Sequence, residues 1–331
     1  MTDARPRRRL IRPNGRLAHA GALRQAPAFL RDARAPGPYP SGVVLYELHE
    51  PVLPLHAPVL IAAFEGWVDA GTAGTMAAGQ LAEGSRVIAT FDGDRIFDYR
   101  ARRPSLDIVD GSLRSLEWPE LALRATRVGD RDLLILAGPE PDYRWRELAA
   151  DVTGLVRRLD VSTWISLGAI PVAAPHTRPV TIMATASEPD LLPAGVNKGP
   201  EGHLRVPSAA LSVLELTVAG AGIPALGFFA QVPHYVSGAY PNGAIELIGH
   251  VGRFLGQELS LGELPGKALE TRALLDAATA ADERTSAYVK RLEEAADEAR
   301  LPEGDDLIAD IERFLRERGG GERGGGGQRL N

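Results

Sequence analysis

The sequence predicts an α/β protein with a mostly parallel central sheet flanked by helices and a helical extension toward the C-terminus. Short apolar or β-branched runs recur along the chain, several without polar alternation, and amphipathic or wholly apolar helical stretches lie between them. A strand covered on one face alternates polar and apolar residues; an unbroken apolar run marks a strand covered on both. Strands alternating with helices give a sheet sandwiched between helix layers, and the right-handed crossover rule leaves few topologies.

The strand runs are Val43–Leu48, Val59–Phe64, Arg86–Phe91, Asp132–Gly138, Ser162–Ala169, Val180–Ser187 and Pro224–Val232. Between them, Leu148, Val152, Leu155, Val156 and Leu159 fall on one helical stripe. A stretch apolar nearly all round follows Pro207, with Ser208 as its expected N-cap, and should be buried. Another helix follows Asn242. From Lys267 onward the pattern is pure helix: Leu274, Ala278, Ala281, Tyr288, Leu292 and Ala295 suggest one long amphipathic helix, with Pro302 and Gly304 turning the chain into a shorter one. The expected organisation is therefore a basic, disordered extension over residues 1–40, an α/β core over 41–262, a helical extension over 263–318 and a Gly-rich flexible tail over 319–331.

The 331 residues are 44% hydrophobic, enough for a sizeable core, and the net charge of −6 argues against a nucleic-acid or anionic-membrane partner for the folded body. No apolar run approaches the roughly 20 residues a membrane-spanning helix needs. The chain has no cysteine, which removes disulfides and thiolate chemistry and fits a reducing cytoplasm. Up to Arg34 the only acids are Asp3 and Asp32 among many arginines; no apolar core follows, so this is no secretory signal. Its composition reads as disorder, with a nucleic-acid-binding arm as the alternative.

The most informative segment is Leu60–Glu83. A buried strand runs into Glu65, Gly66 and Trp67, then Asp69 stands where its carboxylate can accept the free N–H groups of the next helix. Loops beyond strand C-termini are where open α/β sheets bind ligands. A phosphate cradle is disfavoured, since no glycine-rich phosphate motif is present and an acid at the helix start repels anions. The helix is built on Gly71, Gly74, Ala78 and other small residues, an intrinsically weak choice that suits close approach of another backbone, either its own sheet or a second subunit. Trp67 beside it is the residue type enriched at interface hot spots.

A catalytic set is harder to find. The histidines lack metal-ligand spacing, and no nucleophile elbow is present. Glu65, Asp69, His176 and the segment His234–Tyr235 all follow predicted strands and could share one rim. With Arg178 and Glu246 they would make a hydrolytic or phosphorolytic site, arginine holding an anion and carboxylate or imidazole acting as base. Surface or packing roles compete for each of these residues, and no cofactor is expected.

Several blocks together resemble the bacterial branch of the proteasome assembly chaperone 2 family. They are LYEL (45–48), PVLIAAFEGWVDAGTAGTMAAGQL (58–81), FDGDRIFDYRARRPSLDIVDG (91–111), LLILAGPEPDYRWREL (133–148), LGAIPVAAPHTRPVTIMATAS (167–187), PALGFFAQVPHYVSGAYPNGAIELI (224–248) and LPEGDDLIADIERFLRE (301–317). The resemblance implies a phosphorylase/hydrolase-like α/β domain, self-association as a homotrimer, and a non-catalytic role in assembly with proteasome α subunits or another protein as client. It carries over no catalytic residue. Relatives that plug into proteasome pockets end in hydrophobic-Tyr-any residue; the closing Arg329, Leu330 and Asn331 do not match, so docking by that tail is not expected. The alternative reading is an enzyme acting on a small anionic substrate.

Overall fold

Alternation along Val59–Glu65 (β2) sets the architecture. Leu60, Ala62 and Phe64 enter one hydrophobic cluster with Leu148, Val152 and Leu214, while Val59, Ile61 and Ala63 enter a second with Ala73, Ala77, Leu247 and Val251. Successive strand side chains point to opposite faces, so a strand with no polar residue before Glu65 must be covered on both sides.

The computed structural model describes residues 44–49, 54–193, 196–199 and 202–298. The basic N-terminal extension, the shorter helix expected after Pro302 and the Gly-rich tail lie outside them. The sheet comprises β1 (Tyr46–Leu48), β2, β3 (Arg86–Phe91), β6 (Ala122–Val128), β7 (Arg131–Pro139), β8 (Thr163–Val172), β9 (Ile182–Ala186), β10 (Asn197–Lys198) and β11 (Ala225–Pro233). Its nine strands run in the order β1-β3-β6-β7-β2-β8-β11-β9-β10. At the centre β7, β2, β8 and β11 are mutually parallel, as the sequence reading expects. Outside that centre β1, β3, β6 and β9 pair antiparallel, which makes the whole sheet mixed. Helices α3 (Trp145–Arg158) and α4 (Ala210–Gly220) bury their apolar residues on one face, where the short α2 (Gly93–Ile96) adds Ile96; α1 (Ala73–Leu81) and α5 (Pro241–Leu255) cover the other. All five stripe residues of the Leu148–Leu159 helix are buried.

Gly74 and Ala78 of α1 pack within their own chain. A Cβ on Gly74 would stand 2.9 Å from the Leu167 carbonyl oxygen and 3.2 Å from the Gly168 Cα, and Ala78 is fully buried. Gly71 adopts φ +61°, and a Cβ there would meet Tyr240 at 2.7 Å. Each glycine lets the helix or its lead-in approach the sheet and the start of α5 more closely than alanine could.

Three local expectations change. Ser208 does not cap α4: the N-cap is Ala209, and the Glu140 carboxylate accepts the Ala210 N–H at 2.7 Å instead. The long C-terminal helix is two, α6 (Leu264–Ala280) and α7 (Glu283–Glu298). Asp282 accepts the Thr285 N–H and hydroxyl at 2.7 and 2.6 Å, starting a second helix rather than continuing the first. Leu274, expected on the buried stripe, is 72% exposed.

A hairpin of β4 (Ser105–Val109) and β5 (Ser112–Glu117) stands apart from the sheet, every residue exposed. Its turn residues Asp110 and Gly111 have φ of 51° and 76°, the left-handed pair a tight two-residue hairpin requires. Leu106 pairs with Leu116 and Ile108 with Leu113 across a bulge, so these four aliphatic side chains share one face.

Candidate functional site

Because β2, β8 and β11 are parallel neighbours, the segments after their C-terminal ends emerge on one rim. Glu65 ends β2 and Trp67 and Asp69 follow it, His176 and Arg178 follow β8, and His234 follows β11. The rim is shared, but its residues divide into two groups that no hydrogen bond or ion pair joins among the described residues.

The first group organises the β2 loop. The Asp69 carboxylate accepts the Gly74 N–H at 2.7 Å and the Thr75 hydroxyl at 2.5 Å, with a weaker bond from the Thr75 N–H at 3.3 Å. It thus serves the first turn of α1 as expected, although Thr72 occupies the N-cap and Asp69 reaches in from three residues earlier. Burial pushes the Asp69 carboxyl above its ordinary value, bonds from Thr75 and Gly74 oppose this, and the charge of Glu65 adds to it. Glu65 itself is exposed. The sequence reading missed Glu140, whose carboxylate accepts both the Trp67 N–H, at 3.2 Å, and the Ala210 N–H. A Cβ at Gly66 would lie 2.5 Å from that carboxylate, so Gly66 makes room for it. The Trp67 side chain, by contrast, is 68% exposed.

The second group clasps the C-terminal helices. His176 is 1% exposed. Its Nδ1 lies 2.7 Å from the Tyr235 hydroxyl and its Nε2 3.1 Å from an Asp276 oxygen on α6, while its main-chain N–H donates to the same hydroxyl at 2.7 Å. One arrangement satisfies every group: Nε2–H donates to Asp276, and Tyr235 O–H donates to Nδ1 while accepting the main-chain N–H. Burial pushes the Asp276 carboxyl up, but hydrogen bonds from Arg272 and His176 outweigh it and hold the carboxyl below its ordinary value. Arg178 donates to both Asp297 oxygens and lies 3.5 Å from Glu293, and Thr177 donates to Glu293. The exposed His234 stands 3.3 Å from the Tyr288 hydroxyl.

His176, Arg178 and His234 therefore all face α6 or α7. A general base needs a free lone pair within reach of substrate, whereas both ring nitrogens of His176 are engaged. Glu246 is elsewhere, on α5, lining a separate hollow with Gly249 and Arg253. The partners Asp276, Glu293 and Asp297 were missed, although acids four residues apart on α7 form a readable stripe. Among the described residues no three His, Asp or Glu side chains gather as metal ligands, and no helix is long and apolar enough to cross a membrane.

The fold and rim define a class: a helix–sheet–helix α/β protein whose strand-end loops hold a C-terminal helical pair. The chain belongs to the PAC2 family, whose model matches residues 63–279. Among solved structures it is similar to Mycobacterium tuberculosis Rv2714, of unknown function, at 34% identity and a TM-score of 0.72, covering 78% of this chain and 92% of that one. A Corynebacterium glutamicum protein of unknown function is 31% identical, with a TM-score of 0.71 and coverage of 77% and 98%. The M. tuberculosis proteasome-assembly chaperone homologue Rv2125 is 34% identical, with a TM-score of 0.63 and coverage of 70% and 99%. No curated protein matches the chain.

Proposed function

We propose that this protein is a non-catalytic assembly factor that self-associates and binds a protein client in the cytoplasm. The observation that carries the reading is the aliphatic face of the hairpin, with Leu106, Ile108, Leu113 and Leu116 exposed by 49%, 59%, 72% and 47%. Contiguous apolar surface of this kind marks protein–protein contact, and an isolated two-stranded hairpin is marginal in water. Trp67 supplies a second exposed anchor beside α1. The polar side chains best suited to chemistry support the same reading, because Asp69, His176 and Arg178 are engaged in holding the fold. PAC2 membership, and likeness to a proteasome-assembly chaperone homologue, suggest a proteasome α subunit as client and a homotrimer as the assembled form.

Native mass spectrometry of the tagged protein purified gently from its own host tests this. An oligomer, with a defined second protein bound in fixed ratio, is the expected result. A bare monomer, unchanged when Leu113 is replaced by serine, would overturn it.

A further inference from the structure

Strands β4 and β5 pair only with each other among the described residues, so each keeps one open backbone edge. An open edge offers a row of N–H and C=O groups to any extended chain, and proteins usually blunt it with a bulge, a proline or charge. Here the two edges differ. Asp107 pairs with Ser115 and Ile108 with Leu113, so the extra residue of the bulge is Arg114, on β5. The β4 run SLDIV has no bulged residue, no proline and a single acid, Asp107. That carboxylate accepts the Ser115 hydroxyl at 2.6 Å. Of the two edges, β4 is the one left fit for pairing.

The same chain carries an extended run without a sheet. Residues 203–206 (HLRV) lead toward α4 without a turn or bend, belong to no strand and are all exposed. Leu204 and Val206 are each 62% exposed. Pro207 favours extended backbone at Val206 and stops a strand just beyond it. In an extended run Leu204 and Val206 share one face, with His203 and Arg205 on the other. The alternation of β4 matches: Leu106 and Ile108 on one face, Asp107 on the other. With Arg205 set opposite Asp107, Leu204 and Val206 fall beside Leu106 and Ile108 whether the strands run parallel or antiparallel. The aliphatic face then continues over six side chains instead of four, and the acid meets a guanidinium.

We propose that residues 203–206 of one copy add to the β4 edge of a second copy, making a three-stranded sheet between subunits. Two strands alone are marginal in water, and a third sharing their hydrophobic face is what stabilises them. Within one chain the two segments do not pair, so a second copy supplies the partner. Because the giving and receiving surfaces differ, each copy gives one strand and receives one, a head-to-tail contact that closes into a ring rather than a two-fold dimer. The inference rests on the self-association proposed above and adds which surfaces make it.

The chain has no cysteine, so an introduced pair reports the contact without background. Directly opposed residues of neighbouring strands lie within disulfide reach. The full chain carrying Asp107→Cys and Arg205→Cys, once oxidised, should run on a non-reducing denaturing gel as a covalent species holding every subunit of the oligomer. Neither single variant should do so. A disulfide confined to the monomer would put the segment on its own hairpin and overturn the proposal. No disulfide in an oligomer that native mass spectrometry still detects would overturn this contact and leave self-association standing; a monomeric wild type would overturn both. Charge exchange gives a second reading. Asp107→Arg and Arg205→Asp should each raise the concentration at which half the oligomer dissociates about fivefold, the scale of a cross-strand charge pair, and the two together should bring it back toward wild type. Single reversals that leave that concentration unchanged would also overturn the proposal.

Discussion

Arg178 holds Asp297 through two parallel hydrogen bonds of 2.7 and 2.6 Å, joining a loop of the α/β core to a helix 119 residues further along the chain. The paired geometry matters more than the charge, because guanidinium matches carboxylate bidentately and an ammonium does not. Arg178→Ala should therefore loosen α7 while leaving the sheet intact. Hydrogen exchange over residues 283–298 should become severalfold faster, with exchange in β2 and β8 unchanged. Arg178→Lys should restore only part of the protection. Exchange that rises uniformly across the chain would show that the pair supports the whole fold instead.

The Tyr235 hydroxyl satisfies two groups of buried His176, its Nδ1 and its main-chain N–H, each at 2.7 Å. Tyr235→Phe strands both on a residue that is 1% exposed, and leaving buried polar groups unpaired costs about 1–3 kcal/mol. Denaturant unfolding should show that loss. His176→Ala should also destabilise, unlike a substitution at the exposed Glu65, which should be near neutral. Equal stability of all three variants would dismiss the clasp.

How much of this was legible in the sequence depends on whether the deciding interaction is local. The central strands announced themselves because burial on both faces removes polar residues from the run. Strand β6 did not, since Arg124 and Arg127 interrupt ALRATRV, although its leading Ala122 and Leu123 are buried. The hairpin has no burial to leave a trace; its readable mark was Asp110-Gly111 between aliphatic runs. At the rim, spacing pointed to Asp69, His176, Arg178 and His234 as residues after strands, and the structure puts them there. What spacing could not supply was the partners. Asp276 lies 100 residues from His176, and no local periodicity encodes such a pairing.

Asp69 makes stability depend on pH. Its carboxyl is raised above the ordinary value of 3.8, chiefly by burial, so the folded chain binds this proton more readily than the unfolded one. The sign follows: this group's contribution falls as pH climbs from 3.8 through the raised value and is level above it. Asp69→Asn keeps an oxygen for the Gly74 N–H and removes the ionisation. Relative to wild type, its melting temperature should improve with rising pH across that window and then stay level. Asp69→Ala also removes the acceptor, so it should lie about 1 kcal/mol below Asp69→Asn at any pH, the usual value of a helix-capping oxygen. A wild-type-minus-Asn difference that does not change with pH would contradict the burial argument.

Two glycines in α1 separate helix propensity from packing. Exchanging an interior helical glycine for alanine should gain about 0.5–1 kcal/mol if nothing else changes. At Gly79 nothing lies within 4 Å of the added Cβ, so Gly79→Ala should stabilise by that amount. At Gly74 the same methyl would meet the Leu167 carbonyl oxygen at 2.9 Å and the Gly168 Cα at 3.2 Å, both backbone atoms of the central strand β8. Neither can swing aside as a side-chain end would, so α1 must lift from the sheet. Overpacking of this kind costs about 1–3 kcal/mol, more than the propensity gain. Urea melts of the two variants should thus shift in opposite directions, with Gly74→Ala losing stability. If both variants gain, the close approach of α1 to β8 is not what fixes glycine at position 74.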